Sequence, residues 1–468
     1  MSDDNRADTV IKAIRAKVAA SAPGARLPPV RHWVTKLRTS PVTVERALAH
    51  LVREGLVLTR PGHGTFVTPP PPATAASAGN DLGWQSLALG RAPVRADALL
   101  DLVDAPTGRG IVASSGYPEA ALHPTGLLAA VMARAARRPG VWDRTPLDGL
   151  PELRAWFARD MGGGVRAHDM MVTSGGQAAL AVTFRALVAP GDTVLFESPT
   201  YVGATLAARA AGARVVPVPV DGDGVRPDLL EAALRTSGAR VFYCQPSFAN
   251  PHGAVLPRQR RADVLRVVRD AGAFLIEDDW ARHLVLEGDP PEPLFVGDED
   301  GHVVYISSLT KCVAPGFRVG VLAARGAAAS RLRNARVINE YFIAGPLQAA
   351  ALDLVSSPAW PRHLRALSAA LRQRRDALVA AVRQQLPVVK LPLIPNGGLH
   401  LWLQLPDGCD DVALARRALA AGLVDSPGMP WFPAEPPGPF LRLSFGGAPP
   451  AALASAVATL ATLIAGRH

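Results

Sequence analysis

The stretch VVYISSLTKCVAPGFRVG, residues 303–320, decides the fold, because it leads from an apolar strand directly to a lysine flanked by hydroxyl groups. Residues 303–306 are typical of a buried strand, and Ser308, Thr310 and Lys311 follow within five positions. A lone lysine after a strand is most often a solvated loop residue. The alternative is a lysine that holds a phosphorylated aldehyde covalently, and the rest of the chain must decide between the two.

The region around this stretch alternates apolar strand-like runs with helical segments from about residue 110 onwards. The strand-like runs are DTVLFES, ARVVPVPV, RVFYCQPS, AFLIEDDW and HVVYISS. Such alternation predicts an α/β domain with a mainly parallel sheet covered by helices. Ligands of such folds bind beyond the carboxyl ends of the strands. The candidate functional residues lie at these strand ends.

Two of these strand ends can bind a planar, phosphorylated ligand. MMVTSGGQAAL turns from a strand through Ser174, Gly175 and Gly176 into a helix, whose first N–H groups favour a phosphate. A glycine-rich turn of this kind is weak evidence by itself. Tyr201 follows the next strand and is either a platform for ring stacking or an ordinary core or surface tyrosine.

Two further strand ends carry an amide and a group of carboxylates. Asn250 lies in CQPSFANPHG, and Glu277, Asp278 and Asp279 lie in FLIEDDW. Three adjacent carboxylates can bind a metal ion, but no histidine or cysteine pattern accompanies them. The alternative is that one carboxylate lies next to a pyridinium nitrogen.

The first 68 residues have the pattern of a winged helix-turn-helix. They carry eleven Lys or Arg and five Asp or Glu, so an excess of +6 out of the total of +10 lies here. Apolar spacing predicts helices around residues 7–18 and 30–37, and Ser40 and Pro41 begin a third helix that Gly55 ends. Its apolar stripe is predicted to contain Val44, Leu48, Leu51 and Val52. Any three-helix bundle could give the helical part of this pattern, and a solvated basic face could give the charge.

A short hairpin favours DNA binding over the alternatives. Residues 56–59 and 65–67 read as strands, and Arg60, Pro61, Gly62, His63 and Gly64 as the turn between them. In a winged helix-turn-helix, the third helix enters the major groove and the hairpin forms the wing. His63 can equally be only a turn residue.

Composition predicts a folded protein of several domains. The chain has 468 residues, 49% of them hydrophobic and 19% charged. Its three cysteines are scattered without a CxxC pair, which disfavours a disulfide framework or zinc site and fits a reducing cytoplasm. The polar start is unlike a signal peptide, and no apolar run reaches the roughly 18 residues of a membrane span. We expect a cytoplasmic protein.

The domain boundaries follow from these patterns. Residues 1–68 are predicted to be the DNA-binding domain and residues 109–468 the large α/β domain. Residues 69–108 are predicted to be a Pro/Ala-rich linker, which begins within the extended, semi-rigid sequence TPPPPATAASAGNDLG of residues 68–83.

The first segment resembles the GntR-type DNA-binding domain in its PGARLPP motif, its SPVTVERALAHLVREG helix and its GHGTFV wing. This resemblance implies that Arg31 contacts phosphate, that Thr43 and Arg46 lie near bases or backbone, and that the wing enters the minor groove. The predicted DNA-binding residues are Arg26, Arg31, Ser40, Thr43, Arg46, Gly62, His63 and Gly64.

The large domain resembles the class I/II aminotransferases, enzymes of fold type I that use pyridoxal 5′-phosphate (PLP). This resemblance covers residues 110–465 and rests on the order of the motifs along the chain. It implies that Lys311 is the catalytic residue that forms a Schiff base with PLP, that Asp278 pairs with the pyridine nitrogen and that Asn250 donates to the ring oxygen. It also implies that Tyr201 stacks on the ring. The phosphate would be held by Ser174, Gly175, Gly176, Ser308, Thr310 and Arg318.

The resemblance also assigns a carboxylate site and shows two departures. Arg442, in PFLRLSF, lies where the family binds a substrate carboxylate; the alternative is an unpaired surface arginine. Trp280 stands where the family has a tyrosine that contacts PLP. The segment WDRTPLDG offers Trp142 and no tyrosine where a partner subunit often supplies one.

A winged helix joined to an aminotransferase-like domain is the plan of the MocR subfamily of GntR-type regulators, which this chain resembles. The resemblance implies a homodimer that binds double-stranded operator DNA and senses an amine, an amino acid or PLP through Lys311. One alternative is an active PLP-dependent aminotransferase with an accessory DNA-binding domain. Another is a DNA-binding scaffold whose large domain holds no cofactor.

Overall fold

A computed structural model describes residues 3–22, 24–60, 64–68, 83–89, 94, 96, 97, 99, 100 and 110–466. The chain divides into two compact units, Met1–Ala92 and Pro93–His468, and we describe each by itself. Residues 69–82, most of the proline-rich sequence, lie outside the described residues. Within the stretch predicted as a linker, Gly83–Leu89 form a short helix, α4. In the part of the chain that the structure describes, no helix is both long and apolar enough to cross a membrane.

The first unit contains the three predicted helices, α1 (Asp3–Ala19), α2 (Val30–Leu37) and α3 (Pro41–Arg53). Ser40 caps α3, because its Oγ accepts a hydrogen bond from the Thr43 backbone N–H at 3.2 Å. Gly55, with φ of +70°, follows the helix as predicted. The expected apolar stripe is correct except at Val52, which is exposed, because the buried face of α3 continues through Ala47 instead.

The wing is a two-stranded antiparallel hairpin of β1 (Val57–Arg60) and β2 (Gly64–Val67). It packs on the small core of this unit, where Trp33 is buried and its indole N–H donates to the Pro28 carbonyl at 3.1 Å. Residues 61–63 at the tip of the hairpin lie outside the described residues. The predictions for Gly62 and His63 are therefore untested.

The second unit is built on an eight-stranded sheet. Its strands are β4 (Met170–Thr173), β5 (Thr193–Ser198), β6 (Arg214–Asp221), β7 (Gly224–Val225), β8 (Val241–Cys244), β9 (Phe274–Asp279), β10 (Val303–Ser308) and β11 (Gly320–Ala323). The spatial order is β4-β11-β10-β9-β8-β5-β6-β7. The central strands β10, β9, β8, β5 and β6 are parallel, whereas β11 and β7 pair antiparallel with their neighbours. The mainly parallel sheet is confirmed.

Helices cover both faces of this sheet, which explains why β5, β8, β9 and β10 are buried along nearly their whole length. They are α5 (Thr125–Ala135), α6 (Pro151–Met161), α7 (Gly176–Leu187), α8 (Val202–Ala210), α9 (Pro227–Ser237), α10 (Arg258–Asp270), α11 (Gly326–Asn339) and α12 (Gly345–Val355). Because parallel strands end at one edge, the residues after β8, β9 and β10 come together in one place.

A smaller sheet lies towards the end of the chain and supplies one side of the site. It consists of β12 (His400–Gln404), β14 (Ser426–Pro427) and β15 (Phe440–Ser444), with β15 in the middle. Two further strands, β3 (Ile111–Val112) and β13 (Leu423–Val424), pair in parallel. The helices α13 (Ala359–Gln385), α14 (Asp411–Ala420) and α15 (Pro450–Ala465) complete this region.

Candidate cofactor cavity and DNA-binding surface

A cavity opens at the carboxyl ends of β8, β9 and β10. Its lining includes the predicted cofactor residues Gly176, Tyr201, Asn250, Asp278, Trp280, Ser308, Thr310, Lys311 and Arg318. It also includes Tyr117, Gln177, Leu180, Gln245 and Ser307, which the sequence did not indicate. The structure therefore brings residues from five separate sequence motifs to one place.

Lys311 follows β10 and reaches into this cavity. Its Nζ donates a hydrogen bond to the Gly116 carbonyl at 2.9 Å and lies 3.7 Å from the centroid of the Tyr117 ring. Burial lowers the pKa of this amine to about 7, and the positive charges of Arg442 and Arg318 act in the same direction. A substantial fraction of the amine is therefore neutral and nucleophilic near pH 7, which an ordinary solvated lysine is not.

Asp278 is the carboxylate of β9 that faces the cavity. Its Oδ2 accepts hydrogen bonds from the Tyr243 hydroxyl at 2.6 Å and the Gln245 Nε2 at 2.8 Å. Burial raises the pKa of Asp278 to about 6, while these two hydrogen bonds lower it. Tyr243 and Gln245 lie two residues apart at the end of β8, so their side chains point to the same face of the strand.

The two neighbouring carboxylates point away from Asp278, as the alternation of a strand requires. Glu277 accepts hydrogen bonds from the backbone N–H groups of Leu294 at 2.9 Å and Phe295 at 3.0 Å. Asp279 accepts a hydrogen bond from the Tyr305 hydroxyl at 2.9 Å. The three carboxylates therefore have separate partners, and Asp278 is the one available to a ligand in the cavity.

Hydroxyl groups and a guanidinium form the predicted phosphate cradle. Ser308 Oγ donates to Thr310 Oγ1 at 2.6 Å and accepts from the Thr310 backbone N–H at 3.0 Å. Arg318 donates from Nη2 to the Ser174 carbonyl at 3.0 Å, which fixes the guanidinium against the turn before α7. Gly175 has φ of +93°, and a Cβ there would lie 2.7 Å from Arg318 Nη2. Only glycine allows this approach.

Ser174 lies beside the cavity but does not line it. Its hydroxyl donates to the Glu340 carboxylate at 2.5 Å. Its predicted hydrogen bond to a phosphate thus competes with an existing partner, and its role stays a prediction.

Tyr201 and Asn250 contribute two walls. The Tyr201 hydroxyl donates to Gln177 Oε1 at 3.1 Å, and burial raises its pKa above the ordinary tyrosine value, so the ring is neutral. Asn250 accepts from Arg442 through its Oδ1 at 3.1 Å. Because Oδ1 is occupied, the amide nitrogen is the group of Asn250 that can donate to a ligand oxygen.

Trp280 lines the cavity, but its polar atom points elsewhere. The indole N–H donates to the Phe248 carbonyl at 3.0 Å, and the indole ring stacks on the His400 ring with centroids 5.6 Å apart. An indole has no second donor and does not ionise in water. Trp280 therefore offers a ligand an apolar face in place of the hydroxyl that the resemblance implies.

Arg442 is buried behind the cavity wall and is not the unpaired surface arginine of the alternative interpretation. It lies on β15 with 2% of its surface exposed. Its Nη1 contacts Asn250 Oδ1 at 3.1 Å and His400 Nε2 at 3.2 Å, Nη2 donates to the Ser114 carbonyl, and the guanidinium lies over the Trp431 ring. Burial lowers its pKa to about 9.

The described DNA-binding residues lie on the surface of the first unit. Arg26, Arg31, Ser40 and Arg46 are exposed and Thr43 is half-buried. The Arg26 backbone bridges to Phe66 of the wing, and a Cβ at Gly64 would lie 3.0 Å from Arg26 Nε, so this arginine packs along the hairpin. On α3, Arg46 shares an exposed face with Val42, one turn earlier.

Residues 117–460 match the family Aminotransferase class I and II, and residues 6–67 match the bacterial regulatory proteins of the gntR family. The chain belongs to the aminotransferase class I and II family. Its two-domain plan is that of the MocR-type regulators: it is 28% identical to the probable rhizopine catabolism regulatory protein MocR of Rhizobium meliloti, over 93% of this chain and 88% of that protein.

Two comparisons with Thermus thermophilus aminotransferases support the assignment of the large domain to this family. The chain is 30% identical to the 2-aminoadipate transaminase of that organism, over 78% of this chain and 93% of the relative. The crystal structure of LysN, the α-aminoadipate aminotransferase complexed with N-(5′-phosphopyridoxyl)-L-leucine, matches with a TM-score of 0.73 at 28% identity. That match covers 78% of this chain and 94% of LysN. The fold type I assignment is confirmed.

The cavity fits PLP, the cofactor that the family implies. Gly175 leaves room for Arg318 at the start of α7, where the free N–H groups of the helix and the guanidinium favour a phosphate. Lys311 supplies an amine of lowered pKa and Asp278 a buried carboxylate. These groups match the phosphate, the aldehyde and the ring nitrogen of PLP respectively.

Proposed function

We propose that this protein is a PLP-dependent transcriptional regulator that binds operator DNA as a homodimer and senses an amine or amino acid at Lys311. One observation carries the proposal. The same chain has an exposed recognition helix bearing Arg46 and a cavity in which the amine of Lys311 has a pKa of about 7. The similarity to MocR over nearly the full chain supports it.

The residues of the cavity have distinct roles in this proposal. PLP, when bound, supplies an aldehyde that reacts with primary amines and a ring that withdraws electrons. Lys311 would hold the aldehyde, and an incoming amine would compete with it for that position. Asp278, fixed by Tyr243 and Gln245, would keep the ring nitrogen protonated, and Arg318 with Ser308 and Thr310 would hold the phosphate.

A ligand changes DNA binding only by its different affinity for two states of the protein. The free amine of Lys311 donates to the Gly116 carbonyl and lies over the Tyr117 ring, and joining it to the cofactor would change both contacts. We propose that this difference is what the regulator transmits. Arg442 makes a carboxylate-bearing amine, such as an amino acid, the expected effector.

An apolar patch beside the cofactor cradle supports the homodimer. Ile338 is 88% exposed, Tyr341 73% and Trp142 74%, and Phe342 packs on Tyr341. The Thr145 hydroxyl donates to the Ile343 carbonyl at 3.1 Å. This hydrogen bond joins the segment that carries Trp142 to the segment that carries Tyr341. Large exposed apolar patches mark interaction sites, and relatives with this fold are commonly dimeric. A second copy of this chain is the proposed occupant.

Active transamination is the second candidate, because Lys311, Asp278 and Arg318 are all present and a relative is a transaminase. The apolar face of Trp280 argues against it, since no hydroxyl contacts the cofactor from that position. The DNA-binding unit with its exposed basic residues favours regulation.

Replacing Lys311 with alanine separates the two functions. DNA footprinting upstream of the protein's own gene should show binding by the wild-type protein that changes with an amino acid or amine. Lys311→Ala should bind the same DNA within about twofold, because the residue belongs to the other compact unit, and should lose the response to ligand. Rapid multiple-turnover transamination that Lys311→Ala abolishes, with no specific DNA site, would establish the aminotransferase instead.

A further inference from the structure

His400 has a buried ring nitrogen without a hydrogen-bond partner next to Arg442, the predicted carboxylate-binding residue. The side chain lies on β12 with 4% of its surface exposed, and its Nδ1 has no hydrogen-bond partner among the described residues. Nearly all buried polar atoms in proteins are paired, so such an atom calls for a ligand or a bound water. Two nearby buried atoms also lack partners in the described part of the chain. They are Nε of Arg442, which contacts His400, and Oγ of Ser114, whose carbonyl accepts from Arg442.

The tautomer of His400 follows from its neighbour. Nε2 lies 3.2 Å from Arg442 Nη1, and a guanidinium can only donate, so Nε2 must accept. Burial, together with the positive charges of Arg442 and Lys311, holds the pKa of His400 well below the usual range, so the ring is neutral. A neutral imidazole that accepts at Nε2 carries its proton on Nδ1. The unpartnered atom is therefore an N–H donor.

His400 lies behind the wall of the cavity, in contact with residues that line it. It stacks on Trp280, a cavity wall, and shares Arg442 Nη1 with Asn250, a second wall. Lys311 is close enough for its charge to influence the histidine. His400 and Arg442 therefore lie together behind two walls of the cavity that contains Lys311.

We propose that His400 is a specificity-determining residue whose Nδ1–H, together with Arg442, binds the carboxylate of the effector. The inference rests on the proposed function, since it concerns the ligand that displaces Lys311. One carboxylate oxygen is held by Arg442 and the other by the Nδ1–H of His400. Both Nη groups of Arg442 already contact protein atoms, which leaves Nε as its unpartnered donor. A site with a buried donor rejects ligands that leave the donor unpaired, so the decarboxylated amines should bind poorly.

Two substitutions of His400 separate its two nitrogen atoms. In His400→Asn the amide reaches the position of Nδ1 and restores a donor there, without an acceptor for Arg442. In His400→Gln the amide reaches the position of Nε2 and can accept from Arg442, without a donor at Nδ1. Wild type and both variants, loaded with PLP, are titrated with ligands while the cofactor absorbance is followed.

The ligands are matched pairs of amino acid and decarboxylated amine. They are L-alanine and ethylamine, L-leucine and 3-methylbutylamine, L-phenylalanine and 2-phenylethylamine, and L-lysine and 1,5-diaminopentane. In at least one pair the wild type should prefer the acid. His400→Gln should weaken the binding of that acid by roughly 10-fold to 100-fold, with the amine within about twofold. His400→Asn should retain most of the preference.

Several results would overturn the proposal. The first is that the wild type binds no amino acid more tightly than its decarboxylated amine. The second is that His400→Gln loses affinity equally for the acid and the amine. The third is that His400→Gln retains the preference for the acid and His400→Asn loses it. The last outcome would mean that His400 only supports Arg442. Because the titration needs no DNA, a His400-dependent preference without any effect on DNA binding would contradict the regulator proposal and leave this inference standing.

Discussion

Replacing Gly175 with alanine tests whether the turn before α7 positions Arg318 for the cofactor phosphate. Gly175 has φ of +93° and ψ of 173°, a backbone conformation essentially restricted to glycine that costs an alanine about 1–3 kcal/mol. The added Cβ would lie 2.7 Å from Arg318 Nη2 and 2.9 Å from its Cζ, far inside normal contact. The guanidinium must therefore move, and its hydrogen bond to the Ser174 carbonyl must lengthen or break.

The expected effect on PLP affinity follows from the displaced guanidinium. A hydrogen bond that involves a charged group contributes about 1.5–3 kcal/mol. The loss of one such bond to the phosphate corresponds to a weakening of about 10-fold to 150-fold in the dissociation constant. Titration of cofactor-free protein with PLP, followed by absorbance, measures this constant, and urea denaturation measures the free energy of unfolding.

Gly191 provides a control for the positive φ without the steric contact. Its φ is +92°, and a Cβ there would meet no atom within 4 Å. Gly191→Ala should lose about 1–2 kcal/mol of stability and bind PLP within about twofold of wild type. A Gly175→Ala protein that binds PLP as tightly as wild type, or a Gly191→Ala protein that binds it equally poorly, would refute the reasoning.

Three further predictions concern charge, DNA and assembly. In the cofactor-free protein, Lys311 has a pKa of about 7 against an ordinary 10.5, so between these pH values the unfolded chain binds a proton that the folded chain does not. The gain in stability of Lys311→Met over wild type, measured by urea denaturation, should therefore be greatest below pH 7 and vanish near pH 10.5. A pH-independent difference would contradict the burial of the amine. Arg46→Ala should weaken binding to a specific DNA site more than to random DNA in fluorescence anisotropy, whereas the exposed Arg53→Ala should affect both alike; equal losses for Arg46→Ala would remove its role in base recognition. Tyr341→Asp should shift the sedimentation of the protein towards the monomer, while Val388→Asp, at another exposed apolar position, should not. If both variants sediment as dimers like the wild type, the proposed patch is not the dimer interface.

Much of the fold was predictable because local signals agree with the tertiary structure. The strand ending in Ser308 is apolar on both faces, as a central parallel strand requires, and Ser40 with Pro41 has the chemistry of a helix start. Val52 shows the limit of periodicity, since a smaller residue on the adjacent stripe, Ala47, takes the buried position.

The site was predictable where one motif carries the chemistry and not where distant segments meet. Lys311, Asp278 and Arg318 were found because each stands in a recognisable motif. Gly116 and Tyr117 were missed, because they reach Lys311 across about two hundred residues of chain without any local signal. Gln245 could have been noticed from its position just beyond a strand end, but its two hydrogen-bond partners depend on packing.

The contacts of Gln245 make this position intolerant of its closest substitute. Its Nε2 donates to Asp278 and its Oε1 accepts from the Asn250 backbone N–H at 2.9 Å, so the amide has only one usable orientation. Glutamate has the same size and differs from glutamine by a single base in the codon. It would nevertheless place a second carboxylate against Asp278, and the two would have to share a proton. One of the smallest changes available to the gene would thus spread the single negative charge of Asp278, the proposed partner of the cofactor nitrogen, over two carboxylates.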